Sequence, residues 1–150
     1  MIYVECYSDR DLVSAFGVPG GEIRHRFGKG EVCNELKRRG NCKGLVDEDP
    51  GSPQPRYIGG LRAVSEKYGV KHLYDEKANN SLIVLCPRLE EWILRAAKES
   101  KADLAKYGLP EDADILHGIR IEQEKFKQFV KSIGSHSKMV NELKRLLIGK

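Results

Sequence analysis

The residues best suited to chemistry in this sequence are Glu5, Asp47 and Asp49. Glu5 follows Ile2-Tyr3-Val4, a short apolar run of strand type, and Asp47 and Asp49 follow Lys43-Gly44-Leu45-Val46, another such run. In a parallel sheet, ligands collect beyond the carboxyl ends of the strands, so acids far apart along the chain meet at one point. Residues i and i+2 of an extended segment project to the same side, so Asp47 and Asp49 are expected to present their oxygens together. Converging carboxylates repel one another unless a cation sits among them. Mg²⁺ (or Mn²⁺) takes oxygen ligands and keeps several waters, so two or three acids suffice to hold it.

Gly28-Lys29-Gly30 joins a strand-like segment to the start of a helix. Glycines let backbone N–H groups approach an anion, the helix dipole favours negative charge there, and Lys29 would add a mobile cation. Gly28, Lys29 and Gly30 are therefore candidates for phosphate binding, although the GxxxxGK[ST] spacing of a P-loop is absent. The cysteines at 6, 33, 42 and 86 form no CxxC pair and match no zinc template. Cys6 and Cys86 sit in apolar surroundings and read as buried free thiols. A disulfide between Cys33 and Cys42 is a minor alternative. The histidines at 25, 72, 117 and 136 show no paired spacing and read as structural or surface residues.

The elements that must position these residues follow from periodicity. Residues 1–5 read as a strand, and Ser8 or Asp9 as the cap of a helix carrying Leu12, Val13 and Phe16 on one face. Residues 22–27 alternate with period two, a helix is expected from Glu31 to Arg39, and Lys43 to Asp47 is a third strand. Strands separated by helices favour parallel pairing in a layered α/β sheet. Residues 48–58, with three prolines, read as a loop beyond a strand end. A helix is expected over 60–67, and strands over Val70–Tyr74 and Ser81–Cys86, joined by a turn-rich hairpin. From Arg88 onward the pattern is helical, with Leu89, Trp92, Ile93, Ala96 and Ala97 on one stripe. Later helices are expected at 102–107, 112–119, 122–133 and 138–148. The chain thus reads as one domain over 1–150, with a sheet-forming core at 1–87 and a helical extension at 88–150. Its 150 residues are enough to bury a core of ordinary size without a staple.

Charge is unevenly distributed. Net charge is −3 for residues 1–23, +5 for 24–43, −3 for 44–117 and +5 for 118–150. Basic segments alternating with acidic ones suit a polyanion lying across a cation-holding centre. In the last segment Lys125, Lys127, Lys131, Lys138, Lys144 and Arg145 would contact phosphates, while Phe126, Phe129, Val130 and Ile133 pack inward. No apolar run approaches the length of a membrane span, and the first residues lack the pattern of a secretion signal, so a cytoplasmic protein with no membrane partner is expected.

Val4-Glu5-Cys6-Tyr7-Ser8-Asp9, then Gly28-Lys29-Gly30, then Gly44-Leu45-Val46-Asp47-Glu48-Asp49 together resemble the Toprim domain of topoisomerases, primases and OLD-family nucleases. The resemblance covers about residues 2 to 50, a third of the chain. It implies a Toprim-like α/β sheet, mostly parallel and flanked by helices, with Glu5 as the general acid or base and Asp47 and Asp49 as Mg²⁺ ligands. By the same resemblance Asp9 is a supporting acid on the first helix. Two positions depart from the family pattern: Cys6 stands where the family has glycine, and Gly51 where topoisomerases carry a third aspartate. The segment Pro87-Arg88-Leu89-Glu90-Glu91-Trp92-Ile93 resembles an acidic helix that follows the sheet in small Toprim-like proteins, from which Glu90 would reach a second metal ion.

The expected activity is therefore Mg²⁺-dependent phosphoryl transfer, as hydrolysis of a nucleic-acid phosphodiester by a small Toprim-like nuclease, with Glu5 and Lys29 taking part in the catalysis. The alternative is a non-catalytic module that uses the same metal site to bind nucleic acid or a nucleotide, as a homodimer or within a larger complex. A third reading is an α/β interaction protein whose acids are merely solvated.

Overall fold

The structure is a computed structural model that describes residues 1–119 and 121–149. Arg120 and Lys150, both counted in the basic C-terminal segment, lie outside the described residues. In chain order the elements are β1 (Ile2–Val4), α1 (Tyr7–Ala15), β2 (Ile23–His25), α2 (Lys29–Arg38), β3 (Lys43–Asp47), α3 (Arg56–Gly59), β4 (Arg62–Lys67), β5 (Val70–Asp75), β6 (Asn80–Leu85), α4 (Leu89–Glu99), α5 (Ala113–Gly118), α6 (Gln123–Gly134) and α7 (Lys138–Ile148). Short 3₁₀ turns occupy Gly20–Glu22 and Ala105–Tyr107.

The strands form one six-stranded sheet in the order β2-β1-β3-β6-β5-β4. β2, β1, β3 and β6 pair in parallel, and β5 is antiparallel to both of its neighbours. The architecture is thus α/β, with a mostly parallel sheet flanked by helices and a helical C-terminal portion.

Period-two alternation explains why both faces are covered. Ile2 and Val4 of β1, Leu45 of β3, and Ile83 and Leu85 of β6 face one core, into which the helical stripes of α1, α4, α6 and α7 pack. Tyr3, Val46, Leu82 and Val84 face the other, closed by Val32, Cys33 and Leu36 of α2. Successive strand side chains must point to opposite faces, and a strand that is apolar at every position is stable only when both are covered. The sheet segment and residues 88–149 share the first core: Val4, Leu45 and Ile83 lie in one cluster with Trp92, Phe129 and Leu143.

The expected helix over 60–67 does not form; Arg62–Lys67 is the edge strand β4, paired with β5. Tyr68 and Gly69, both at positive φ (56° and 71°), form the two-residue turn between them. A loop with two left-handed residues has the twist that antiparallel strands require, which outweighs the helix propensity of this segment. Its exposed Arg62, Glu66 and Lys67 suit a protected sheet edge. The cap of α1 also differs from expectation. Cys6 occupies the N-cap without a side-chain hydrogen bond, and Ser8 and Asp9 fall inside the first turn. Among the described residues, no helix is long and apolar enough to cross a membrane.

α2 lies close against β3 because Gly44 has no side chain. A Cβ built there would stand 2.8 Å from Val32 Cγ1 and 3.0 Å from Leu82 Cδ1. Val32 is fully buried and stiff about χ1, so it cannot swing away. Gly44→Ala is expected to lower stability by about 1–3 kcal/mol through overpacking. Urea unfolding with an unchanged m-value would show it, and a midpoint equal to that of the parent chain would contradict the packing described.

Candidate functional site

The carboxyl ends of the central parallel strands carry the acids. β1 ends at Val4, and Glu5 follows it; β3 ends on Asp47 itself. The two strands are adjacent, with Val4 opposite Leu45. Glu5 Oε1 accepts a hydrogen bond from the backbone N–H of Asp47 at 2.7 Å, so residues 42 apart in sequence are in direct contact. Asp47 Oδ1 in turn accepts from the backbone N–H of Leu89 at 2.9 Å, the first residue of α4. A carboxylate at that place satisfies a helix-terminal donor and suits the positive end of the dipole.

Asp9, on the first turn of α1, is fully buried, and neither carboxyl oxygen has a hydrogen-bond partner. Burial, and then the charges of Asp47 and Glu5, push its pKa well above the usual aspartate value, with a further contribution from Glu90. Asp47 is raised to about 7 by burial and by Glu5 and Glu90. Glu5 is raised by burial, against the pull of the Asp47 amide and the Lys29 ammonium, and the Asp49 carboxylate adds to the rise of both Glu5 and Asp47. Glu5, Asp9, Asp47 and Glu90 therefore form one mutually repelling group drawn from β1, α1, β3 and α4.

Two of the expected residues differ in geometry. Asp49 lies past the strand end at φ 45°, in the left-handed region, so it does not continue an extended segment and does not project as Asp47 does. It is exposed and lines a cavity of about 470 Å³ together with Glu5, Lys29, Gly30, Ser52 and Gln54. Lys29 is not a mobile cation. It is buried, and its Nζ donates to Glu48 O at 2.7 Å and to Gln54 Oε1 at 2.9 Å, holding the 48–55 loop down. The N–H of Gly28 is directed at the carbonyl oxygens of Arg26 (3.1 Å) and Glu5 (3.5 Å). The Gly28 N–H is thus turned to backbone carbonyls, while Lys29 and Gly30 line the cavity together with Glu5.

Glu90 lies between the acid group and two other side chains, with Oε1 3.2 Å from His117 Nδ1 and 4.0 Å from the Arg88 guanidinium Nε. His117, which sequence spacing assigned to surface or structure, is thereby a neighbour of the site; nothing in the spacing of residues 90 and 117 signals it. Arg88 also pairs with Glu91 and Asp114, which ties α4 to α5. Cys6, beside these acids, is an unactivated thiol: burial pushes its pKa up, and Asp9 adds to the shift. All four cysteines are free thiols.

Among the described residues, no group of three or more His, Cys, Asp and Glu side chains stands ready to hold a metal ion. Mg²⁺ does not demand such a cage, since it is commonly held by one or two carboxylates with waters completing the octahedron. The donor set fits a hard cation: it is all oxygen, and the orphaned Asp9 is stable only as the neutral acid or with a cation against it. Comparison with protein-family models, with curated proteins and with solved structures returns no match.

The raised acids make stability depend on pH. An aspartate whose folded pKa of about 7 exceeds its ordinary 3.8 costs no stability below the lower value and an increasing amount as pH rises to the upper one. Asp47→Asn keeps an acceptor for the Leu89 N–H and removes the charge. In EDTA, its melting temperature relative to the parent is expected to rise between about pH 4 and about pH 7, with contributions from the histidines cancelling in the difference. A difference that stays constant with pH would contradict the repulsion.

Proposed function

We propose that the chain is a Toprim-like phosphoryl-transfer protein that uses Mg²⁺ or Mn²⁺ to hydrolyse phosphodiester bonds in nucleic acid. The observation that carries this reading is the grouping of Glu5, just after β1, with Asp9 of α1, Asp47 of β3 and Glu90 of α4 at the carboxyl rim of parallel strands, where Glu5 also lines a cavity with Lys29 and Asp49. Neutral or hydrogen-bonded surface acids would need no such gathering. The order Glu5, Lys29, Asp47 and Asp49 along the chain also agrees with the Toprim resemblance.

In this reading Asp47 and Asp9 would hold the cation, with Glu90 and the exposed Asp49 as further acids near them. A cation held there would supply polarisation of a scissile phosphate and offset charge on its oxygens. Glu5, whose pKa is raised by burial, gives or takes a proton at the reacting oxygen. Lys29 fixes the 48–55 loop and keeps its ammonium on the cavity wall, where it favours a phosphate over other ligands. The net charge of +5 over residues 24–43 supplies a path for the flanking phosphates.

The non-catalytic alternative draws on one observation, that Lys29 is already committed to Glu48 and Gln54. One experiment separates the two. DNA and RNA, single-stranded and duplex, are incubated with the full chain in Mg²⁺ or Mn²⁺ and resolved on denaturing gels. Hydrolysis is expected to require the cation and to fall at least about 100-fold in Glu5→Gln and in Asp47→Ala. Salt-sensitive binding with no cleavage under any of these conditions would establish the binding module instead, and cleavage that survives Asp47→Ala would remove the site from the chemistry.

A further inference from the structure

β2 is an edge strand of the sheet, and where it ends three rings stack. The Tyr7 ring lies on His25 with centroids 4.2 Å apart and an interplanar angle of 28°, and Phe27 meets the same imidazole edge-on at 4.8 Å and 72°. The outer members are open to solvent: Tyr7 is 62% exposed and Phe27 80%. A phenylalanine this exposed contributes little to the core, and it is unusual to find one held in an ordered aromatic row. The row is joined to the acid group. Tyr7 is two residues beyond Glu5, the Arg26 N–H donates to Val4 O at 2.8 Å, and the Gly28 N–H is directed at Glu5 O at 3.5 Å. The strand end carrying His25 and Phe27 is thus fastened to the strand end carrying Glu5.

The surroundings are cationic. Arg10 lies one turn after Tyr7 on α1, is exposed, and makes no side-chain hydrogen bond or ion pair among the described residues. The row also opens the segment 24–43, whose net charge is +5. Exposed ring faces beside unpaired positive charge fit a nucleobase whose phosphate is neutralised nearby. Every base has a π-face, so such stacking tolerates sequence. A duplex keeps its bases stacked on one another and offers none to a protein ring, whereas an unpaired strand does.

We infer that the Tyr7–His25–Phe27 row is a stacking platform that selects single-stranded nucleic acid and leads it to the acid site. This deepens the proposed function and rests on it for the identity of the polymer. The platform binds one or two bases by their faces, Arg10 takes a neighbouring phosphate, and the strand continues past Glu5 into the cavity bordered by Lys29 and Asp49.

The test measures binding apart from cleavage. Fluorescence anisotropy of short labelled oligonucleotides, as single-stranded DNA, single-stranded RNA and the matching duplex, is followed with the full chain in Ca²⁺ in place of Mg²⁺. Both single strands, or one of them, are expected to bind more tightly than the duplex. Phe27→Ala and Tyr7→Ala should each weaken that binding roughly tenfold, Phe27→Trp should retain it, and the melting temperature should not change because the rings are exposed. Alanine variants that bind as the parent does, a duplex bound as tightly as single strands, or no binding of any strand would overturn the platform. Adding Mg²⁺ then separates the two claims: ring-dependent binding without cleavage leaves the platform standing and removes the hydrolytic reading, while cleavage with ring-independent binding does the reverse.

Discussion

Four carboxyl groups share one small region at the rim of the sheet, and their mutual repulsion is the constraint on which the site depends. Each would be comfortable in water. Brought together, with Asp9 sealed from solvent and its carboxyl oxygens without a hydrogen-bond partner, Asp9, Asp47 and Glu5 hold protons more strongly than isolated acids do. Such an arrangement lowers the stability of the ion-free protein, and packing elsewhere must offset it. The two cores on either side of the sheet supply that support, and the strand ends that carry Glu5 and Asp47 cannot separate without breaking the β1–β3 pairing.

The acids are held by the backbone as well as by packing. Glu5 grips the amide of Asp47, Asp47 grips the amide of Leu89, and Lys29 grips the carbonyl of Glu48. These three bonds link β1, β3, α4, α2 and the loop after β3 into one rim. The first two direct amide donors at carboxylates that would otherwise drift apart, and the third brings a cation to the cavity wall. A site built on strand and helix ends in this way keeps its geometry better than one carried on a free loop. The aromatic row at the end of β2 is mounted on the same rim by the bonds from Arg26 and Gly28.

Much of this was legible in the sequence because it depended on local pattern. The apolar runs at residues 2–4, 43–47 and 81–85 and the stripe Leu89, Trp92, Ile93, Ala96 and Ala97 correspond to observed strands and to the buried face of α4. The meeting of Glu5 with Asp47 followed from the rule that parallel strands present their carboxyl ends together. What failed depended on turns and on long-range partners. Tyr68 gives little warning that it will adopt a left-handed conformation, yet that turn makes 62–67 a strand. Asp49 was expected to follow the extended geometry of Asp47, but the strand stops before it. Lys29 was read as free because its acceptors, Glu48 and Gln54, lie 19 and 25 residues away. The approach of His117 to Glu90 and the stacking of Tyr7 on His25 are likewise tertiary events that no spacing rule encodes.

The account rests on a divalent cation being the partner these carboxyl groups lack. Crystals of the full chain soaked in Mn²⁺ and measured at the manganese absorption edge test this most directly, because anomalous density locates the ion without assumption about its ligands. The account predicts a peak within coordination distance of Asp47 and of at least one of Glu5, Asp9 and Glu90. Saturating Mn²⁺ that leaves this group without a peak, or that binds only elsewhere on the surface, would contradict it.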